Sequence, residues 1–187
     1  MGIIIFGASG AGSTTLGKEI AGRLNFQHLD IDNYLWRWDT KIPLTVTRSS
    51  EERTELLLND IKKCPNFVIS GTIFSNQNLF AHLFDLAVFV STPAEVCAER
   101  VRARELSRWG NRILPGGDMY RVTRFHGDSD DYLANAQRYE TADVLKFGRK
   151  LHEQWISELP CPIMRVNGTK NISENANGII KQFHKLL

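Results

Sequence analysis

A glycine-rich run, Gly7-Ala8-Ser9-Gly10-Ala11-Gly12-Ser13-Thr14-Thr15, directly follows the apolar segment Ile3-Ile4-Ile5-Phe6. It fits the pattern G-x-x-x-x-G-K-[ST] at every fixed position except the lysine, where Ser13 stands. A strand feeding such a turn, with a helix opening at its end, aims unbonded backbone N–H groups into the turn. Those donors and the helix dipole suit phosphate oxygens. The implied chemistry is a nucleotide held by its phosphates on residues Gly7 to Thr15. Thr14 stands where a loop hydroxyl ligates Mg2+. A second register, ending at Gly17-Lys18, would put Leu16 inside the loop and has Glu19 where a hydroxyl belongs. Lys18 is therefore expected one turn into the helix, whose buried face is Leu16, Ile20, Ala21 and Leu24.

Two further sets of residues carry chemistry. Asp30 and Asp32 alternate at the end of an expected strand, so their side chains are expected on opposite sides. One would hold Mg2+ through water while the other meets an acceptor hydroxyl; the alternative is a helix cap plus a solvated carboxylate. Arg100, Arg104, Arg108 and Arg112 recur every fourth residue, which lays the first three along one helix edge with Arg112 past Gly110. Such a like-charged row is better tolerated beside an anion, although pairing with Glu99 and Glu105 would also explain it. Pro115-Gly116-Gly117 then breaks the chain as a lid hinge would. Tyr34, Trp36, Trp38, Arg48 and Arg53 flank an irregular segment suited either to an acceptor bearing a ring or phosphate, or to plain hydrophobic cover. The five histidines show no metal-ligand spacing, and Ser9 lacks the context of a hydrolase nucleophile.

These residues need a scaffold of alternating strands and helices. Strands are expected near Gly2–Phe6, Gln27–Asp30, Phe67–Ser70, Leu86–Val90 and Pro162–Val166. Helices are expected over Ser13–Leu24, Ser50–Lys63, Pro93–Leu106, Asp130–Leu159 and Ile172–Leu186, with Pro43–Ser50 and Leu114–Asp118 irregular. The alternation predicts an α/β fold on a mainly parallel sheet. In such sheets ligands collect beyond the carboxyl ends of the strands. That rule gathers the loop from Gly7, Asp30-Ile31-Asp32, Ser70-Gly71-Thr72, Ser91-Thr92 and Asn167-Gly168-Thr169.

At 187 residues a single domain over 1–187 is expected, with a substrate-binding insert over 33–50 and a lid over 108–127. The net charge of +2, from 23 basic against 21 acidic side chains, does not argue for nucleic acid or a membrane surface. Cys64, Cys97 and Cys161 are scattered, as free thiols in a reducing compartment would be. No stretch approaches bilayer length and no charged leader precedes the first apolar run, so a cytoplasmic location is expected.

Taken in order, these motifs resemble the adenylate-kinase-like group of small P-loop kinases, which includes shikimate and gluconate kinases. Val166-Asn167-Gly168-Thr169-Lys170 resembles that group's V-D-G-T-K-P segment, which implies that Gly168 and Thr169 hold adenine. Arg100 and Arg104 resemble the lid-opening arginines, one stacking on adenine and one contacting phosphate. Asp30-Ile31-Asp32 resembles the D-x-D of shikimate kinases, which implies Asp30 near Mg2+ and Asp32 at the acceptor hydroxyl. Asp130-Asp131 and Arg138 resemble more loosely an acidic pair and arginine beyond the lid. The resemblance implies a three-layer P-loop NTPase fold with a five-stranded parallel sheet, helices on both faces and an arginine-rich lid.

This chain departs from the group at Ser13 and at Ser70-Gly71-Thr72, which replaces the D-G-F-P-R of adenylate kinases. The expected activity is transfer of the γ-phosphoryl group of ATP, with Mg2+, to a nucleotide or small hydroxylated metabolite. Asp32, Arg104, Arg108 and Arg112 would act in catalysis, and Asp32, Tyr34, Arg48 and Gly71 would meet the acceptor. The alternative is a nucleotide-binding sensor that has kept the site and lost turnover, and Ser13 is its main support. A nucleic-acid-associated ATPase is disfavoured by the near-neutral charge.

Overall fold

The computed structural model describes residues 1–41, 44–73, 76–120, 138–141 and 148–186. Its centre is β1 (Gly2–Gly7), in which Ile3, Ile4, Ile5 and Phe6 are all fully buried. A strand covered on both faces reads as an unbroken apolar run, because neither side meets water. Each such side chain contributes about 1.5–3 kcal/mol on burial. Around β1 lie β2 (Gln27–Asp30), β3 (Phe67–Ser70), β4 (Leu86–Ser91) and β5 (Ile163–Asn167), in the spatial order β2-β3-β1-β4-β5. All four pairings are parallel.

Alternation along β1 divides the core in two. Ile3 and Ile5 pack with Leu16, Ile20, Val88, Ile179 and Phe183 on one face, under α1 (Ser13–Leu24) and the C-terminal helix. Ile4 and Phe6 pack with Leu57, Ile61, Phe89 and Trp155 on the other, under α3 (Ser50–Lys63). The expected three layers are therefore present. That C-terminal helix is α7 (Ile172–His184), and the described residues also form α2 (Ile31–Leu35), α4 (Gln77–Ala81), α5 (Ala94–Trp109) and α6 (Arg149–Glu158). A 3₁₀ turn over Gly110–Ile113 follows α5.

Three expectations need correction. Asp30 and Asp32 do not alternate along a strand. The chain turns into α2 at Ile31, Asp30 caps that helix by accepting from the Asp32 N–H at 3.1 Å, and Asp32 lies in its first turn. Of the helix expected over Asp130–Leu159, residues 130–137 and 142–147 lie outside the described residues. The remainder is not one helix: Tyr139–Thr141 is a turn, Gly148 is extended, and the Arg149 N–H reaches back to the Tyr139 carbonyl at 2.9 Å. Among the described residues, Arg149–Glu158 forms a helix, and it stops because Leu159 precedes Pro160 and is held extended. The third correction adds the short helices α2 and α4, which no expectation included. Of the lid expected over 108–127, residues 121–127 lie outside the described residues, as do Asp130 and Asp131.

Register sets the functional edge. Gly7 pairs with Val90, Asp30 with Ser70, and Ser91 with Asn167. The carboxyl ends of all five strands thus share one edge. There β1 stands between β3 and β4, the point where successive crossovers run to opposite sides of the sheet.

Candidate active site

The loop after β1 is shaped by close backbone approach. Gly10 has φ +86°, and a Cβ there would lie 2.4 Å from the Cys97 carbonyl oxygen, so α5 sits directly against the turn. Gly12 has φ +104°, in the region that favours glycine, and provides no side-chain cap to α1. The first-turn amides of Ser13, Thr14 and Thr15 have no acceptor within the helix. A helix start without a side-chain cap, at the sheet's switch point, has the donors and dipole that suit an anion.

Three connections fix the loop from behind. The buried Thr92 hydroxyl donates to the Ala11 carbonyl at 3.0 Å. Arg100 donates to the Gly10 and Ala11 carbonyls, both at 3.4 Å, and to the Gly168 carbonyl at 3.0 Å. Gly168 fits against the same place, since a Cβ there would lie 2.1 Å from Thr92 Oγ1 and 2.5 Å from the Ala11 oxygen. The Gly168 N–H is bound to the Ser91 carbonyl at 2.9 Å, and the Thr169 N–H and hydroxyl both donate to Asn167 Oδ1. Gly7–Thr15, Arg100, Gly168 and Thr169 are therefore brought together, as their motifs imply.

On the other side of the loop, the Thr14 hydroxyl lies near enough to the Asp30 carboxylate to favour its charged form slightly. Burial raises the Asp30 pKa, and the neighbouring Asp32 charge adds to this; the Asp32 N–H, Lys18 and Thr14 oppose it. A hydroxyl beside a partly desolvated carboxylate is a hard-oxygen pair suited to Mg2+, which takes few protein ligands and keeps its others from phosphate and water. Thr14 and Asp30 would hold that ion. Among the described residues, no group of three His, Cys, Asp or Glu gathers into a metal cage.

The acceptor-side residues divide. Asp32 Oδ1 accepts from Trp36 Nε1 at 3.3 Å, and Gly71, at φ +103°, packs against Ile31 beside the Asp30–Asp32 corner. Tyr34 is buried with its hydroxyl on Asp60 at 3.0 Å. Arg48 closes the end of α2 by donating to the carbonyls of Asn33, Tyr34 and Trp36. Tyr34 and Arg48 thus brace the insert from within, whereas Trp38 is exposed. The arginine row divides too. Arg104 and Arg108 pair with Glu105 and Arg112 forks onto Asp118, leaving Arg100 as the member on the loop.

Other groups at this edge had no signal in the sequence. His28 Nε2 meets the buried Ser70 hydroxyl at 2.8 Å, and burial, with Lys18 nearby, lowers its pKa to about 4. His152 is buried against Phe6 and Phe89, between the Thr72 hydroxyl at 2.9 Å and the Tyr139 hydroxyl at 2.6 Å. Burial lowers its pKa to about 4 as well. Both histidines are neutral spacers that fix hydroxyls after β3.

A parallel five-stranded sheet carrying a glycine-rich anion loop at its switch point is the fold of a small P-loop kinase. The AAA domain family model AAA_18 matches residues 3–112, and the chain belongs to that family. It is 34% identical over 178 residues to the uncharacterised protein YqaC of Bacillus subtilis (strain 168), covering 95% of this chain and 94% of that protein. Shikimate kinase from Bacteroides thetaiotaomicron superposes with a TM-score of 0.60 at 16% identity, covering 98% of each chain. Deoxyadenosine kinase from M. mycoides with bound dATP gives a TM-score of 0.56 at 13% identity, covering 98% of this chain and 99% of that one. At these identities the likeness is one of fold.

Proposed function

We propose that this chain binds ATP with Mg2+ on the Gly7–Thr15 loop and transfers the γ-phosphoryl group to a nucleotide or small hydroxylated metabolite. The observation that carries the reading is the uncapped start of α1 at Gly12, open beside the Thr14–Asp30 oxygen pair. Loop amides would cradle the β-phosphate, and Arg100, Gly168 and Thr169 would border adenine. Mg2+, held by Thr14 and Asp30, would neutralise phosphate charge. Asp32 would orient the acceptor hydroxyl and take its proton as that oxygen bonds to the γ-phosphorus and the bond to the bridging oxygen breaks, releasing ADP. Arg104, Arg108 and Arg112 would leave their acidic partners to close over the phosphates when the lid is engaged. Phosphoryl transfer needs mainly positioning and charge stabilisation, which these groups supply.

The acceptor belongs to the class that fits beside Asp32 and Gly71. Solved structures with this fold act on shikimate and on deoxyadenosine, so both hydroxylated rings and nucleosides belong in a first panel. The test is purified protein with MgATP against pooled acceptors, read by mass spectrometry for a phosphorylated product. A product supports the kinase. Tight ATP binding without any product supports a sensor, the reading that Ser13 favours.

A further inference from the structure

The loop lacks the lysine that such sites place beside the phosphates, so before the lid arginines engage only Mg2+ would offset the triphosphate's charge. Lys18 stands four residues after Thr14 on α1, so the two share one helix face. Side chains on a helix lean toward its N-terminus, and a lysine stem spans about one turn of roughly 5.4 Å. A lysine stem of that length is long enough to bring the ammonium back to the level of Thr14. Thr14, Thr15 and Lys18 line one open groove along α1.

Other cations nearby are occupied. Arg100 is spent on the Gly10, Ala11 and Gly168 carbonyls, and Arg23 on Glu19, Ser173 and Asn177. Lys18 is exposed and makes no ion pair among the described residues. Its charge is nonetheless felt at both Asp30 and His28, on the acceptor side of the loop.

We infer that Lys18 replaces the missing loop lysine, bringing its ammonium to the phosphates from one turn into α1. This rests on the nucleotide-binding reading above. A charge-assisted hydrogen bond of about 1.5–3 kcal/mol corresponds to roughly ten- to a hundredfold in affinity.

The test is calorimetric titration of MgATP into the wild-type chain and into Gly12→Val, Lys18→Met, Lys18→Arg, Ser13→Lys and Ser13→Lys/Lys18→Met variants. Lys18→Met is expected to weaken binding at least about tenfold with no change in melting temperature, because the side chain is exposed. Lys18→Arg keeps the charge and should retain binding. Ser13→Lys should restore what Lys18→Met loses, a rescue that a merely structural lysine would not permit. Wild-type affinity in Lys18→Met, or no recovery in the double variant, overturns the assignment. If Gly12→Val removes binding while Lys18→Met does not, only the role of Lys18 fails. If Gly12→Val binds normally, the nucleotide site and the assignment fail together.

Discussion

Thr14 and Asp30 show how one side chain serves both the fold and the proposed chemistry. Asp30 ends β2, caps α2 and has the Thr14 hydroxyl nearby. Its raised pKa reflects a carboxylate that has lost water without a full counter-charge. A bound Mg2+ would supply that charge, so ATP affinity should depend strongly on the metal. Thr14→Ala is expected to reduce the Mg2+-dependent gain in ATP affinity ten- to a hundredfold, roughly the cost of removing a group that supports a metal. Thr14→Ser should keep most of it. Titrations with and without Mg2+ check this, and an equal gain in Thr14→Ala would show that the hydroxyl does not serve the metal. Gly12→Val acts more severely, since a branched side chain is strained at φ +104° and would project into the nest. Loss of ATP binding with or without metal is expected, and unchanged affinity would refute the loop.

The junction of β5 with the loop is the tightest contact between elements at this edge. Gly168→Ala would push a methyl into Thr92 Oγ1 and the Ala11 carbonyl, both fixed by their mutual hydrogen bond. The backbone must move, at about 1–3 kcal/mol. ATP affinity should fall together with the melting temperature; a stable variant with normal affinity would mean that β5 does not register the loop. Elements of this kind were legible in the sequence for a simple reason. Buried parallel strands such as Ile3-Ile4-Ile5-Phe6 are unbroken apolar runs, and the loop motif is local. Less local features were not legible. The five residues of α2 are too few to show a helical period, and its cap, Asp30, reads equally well as a strand end. The extended Gly148 interrupts what reads as one long amphipathic stretch. Lys18 falls outside the loop's own register, and only the helical spacing puts it on the face of Thr14. Thr72, Tyr139 and His152 meet only in the folded chain, where His152 packs on Phe6 and Phe89, and nothing near any of them in the sequence announces it.

The two buried histidines give the protein's stability a pH window of its own. His28 and His152 both have pKa values lowered from 6.5 to about 4 by burial. Unfolding restores the ordinary value, so between those limits the unfolded chain binds more protons than the folded one. Stability is then complete above about pH 6.5 and is lost as the pH falls toward 4. Asp30 works the other way, since its raised pKa makes its ionisation in the folded state unfavourable as the pH rises, and this offsets part of the gain. The carboxylates held low by arginines, Glu153 beside Arg165 and Asp118 beside Arg112, lose their contribution at lower pH, as they protonate below the usual carboxylate range. The interval from about 6.5 to 4.5 therefore belongs mainly to the histidines. A buried histidine such as His152 contributes up to about 1.4 kcal/mol per pH unit there, and about 2–4 °C of melting temperature accompanies each kcal/mol at this size. Circular-dichroism melts from pH 7 to 4.5 should thus show a falling transition, by roughly 3–5 °C per pH unit from His152 and less from the partly exposed His28. His152→Gln should lower stability at pH 7, because Thr72 and Tyr139 lose their shared partner, yet flatten the slope below pH 6.5. An unchanged slope in that variant would mean that His152 is protonated in the folded protein and donates from both ring nitrogens to the hydroxyls that flank it.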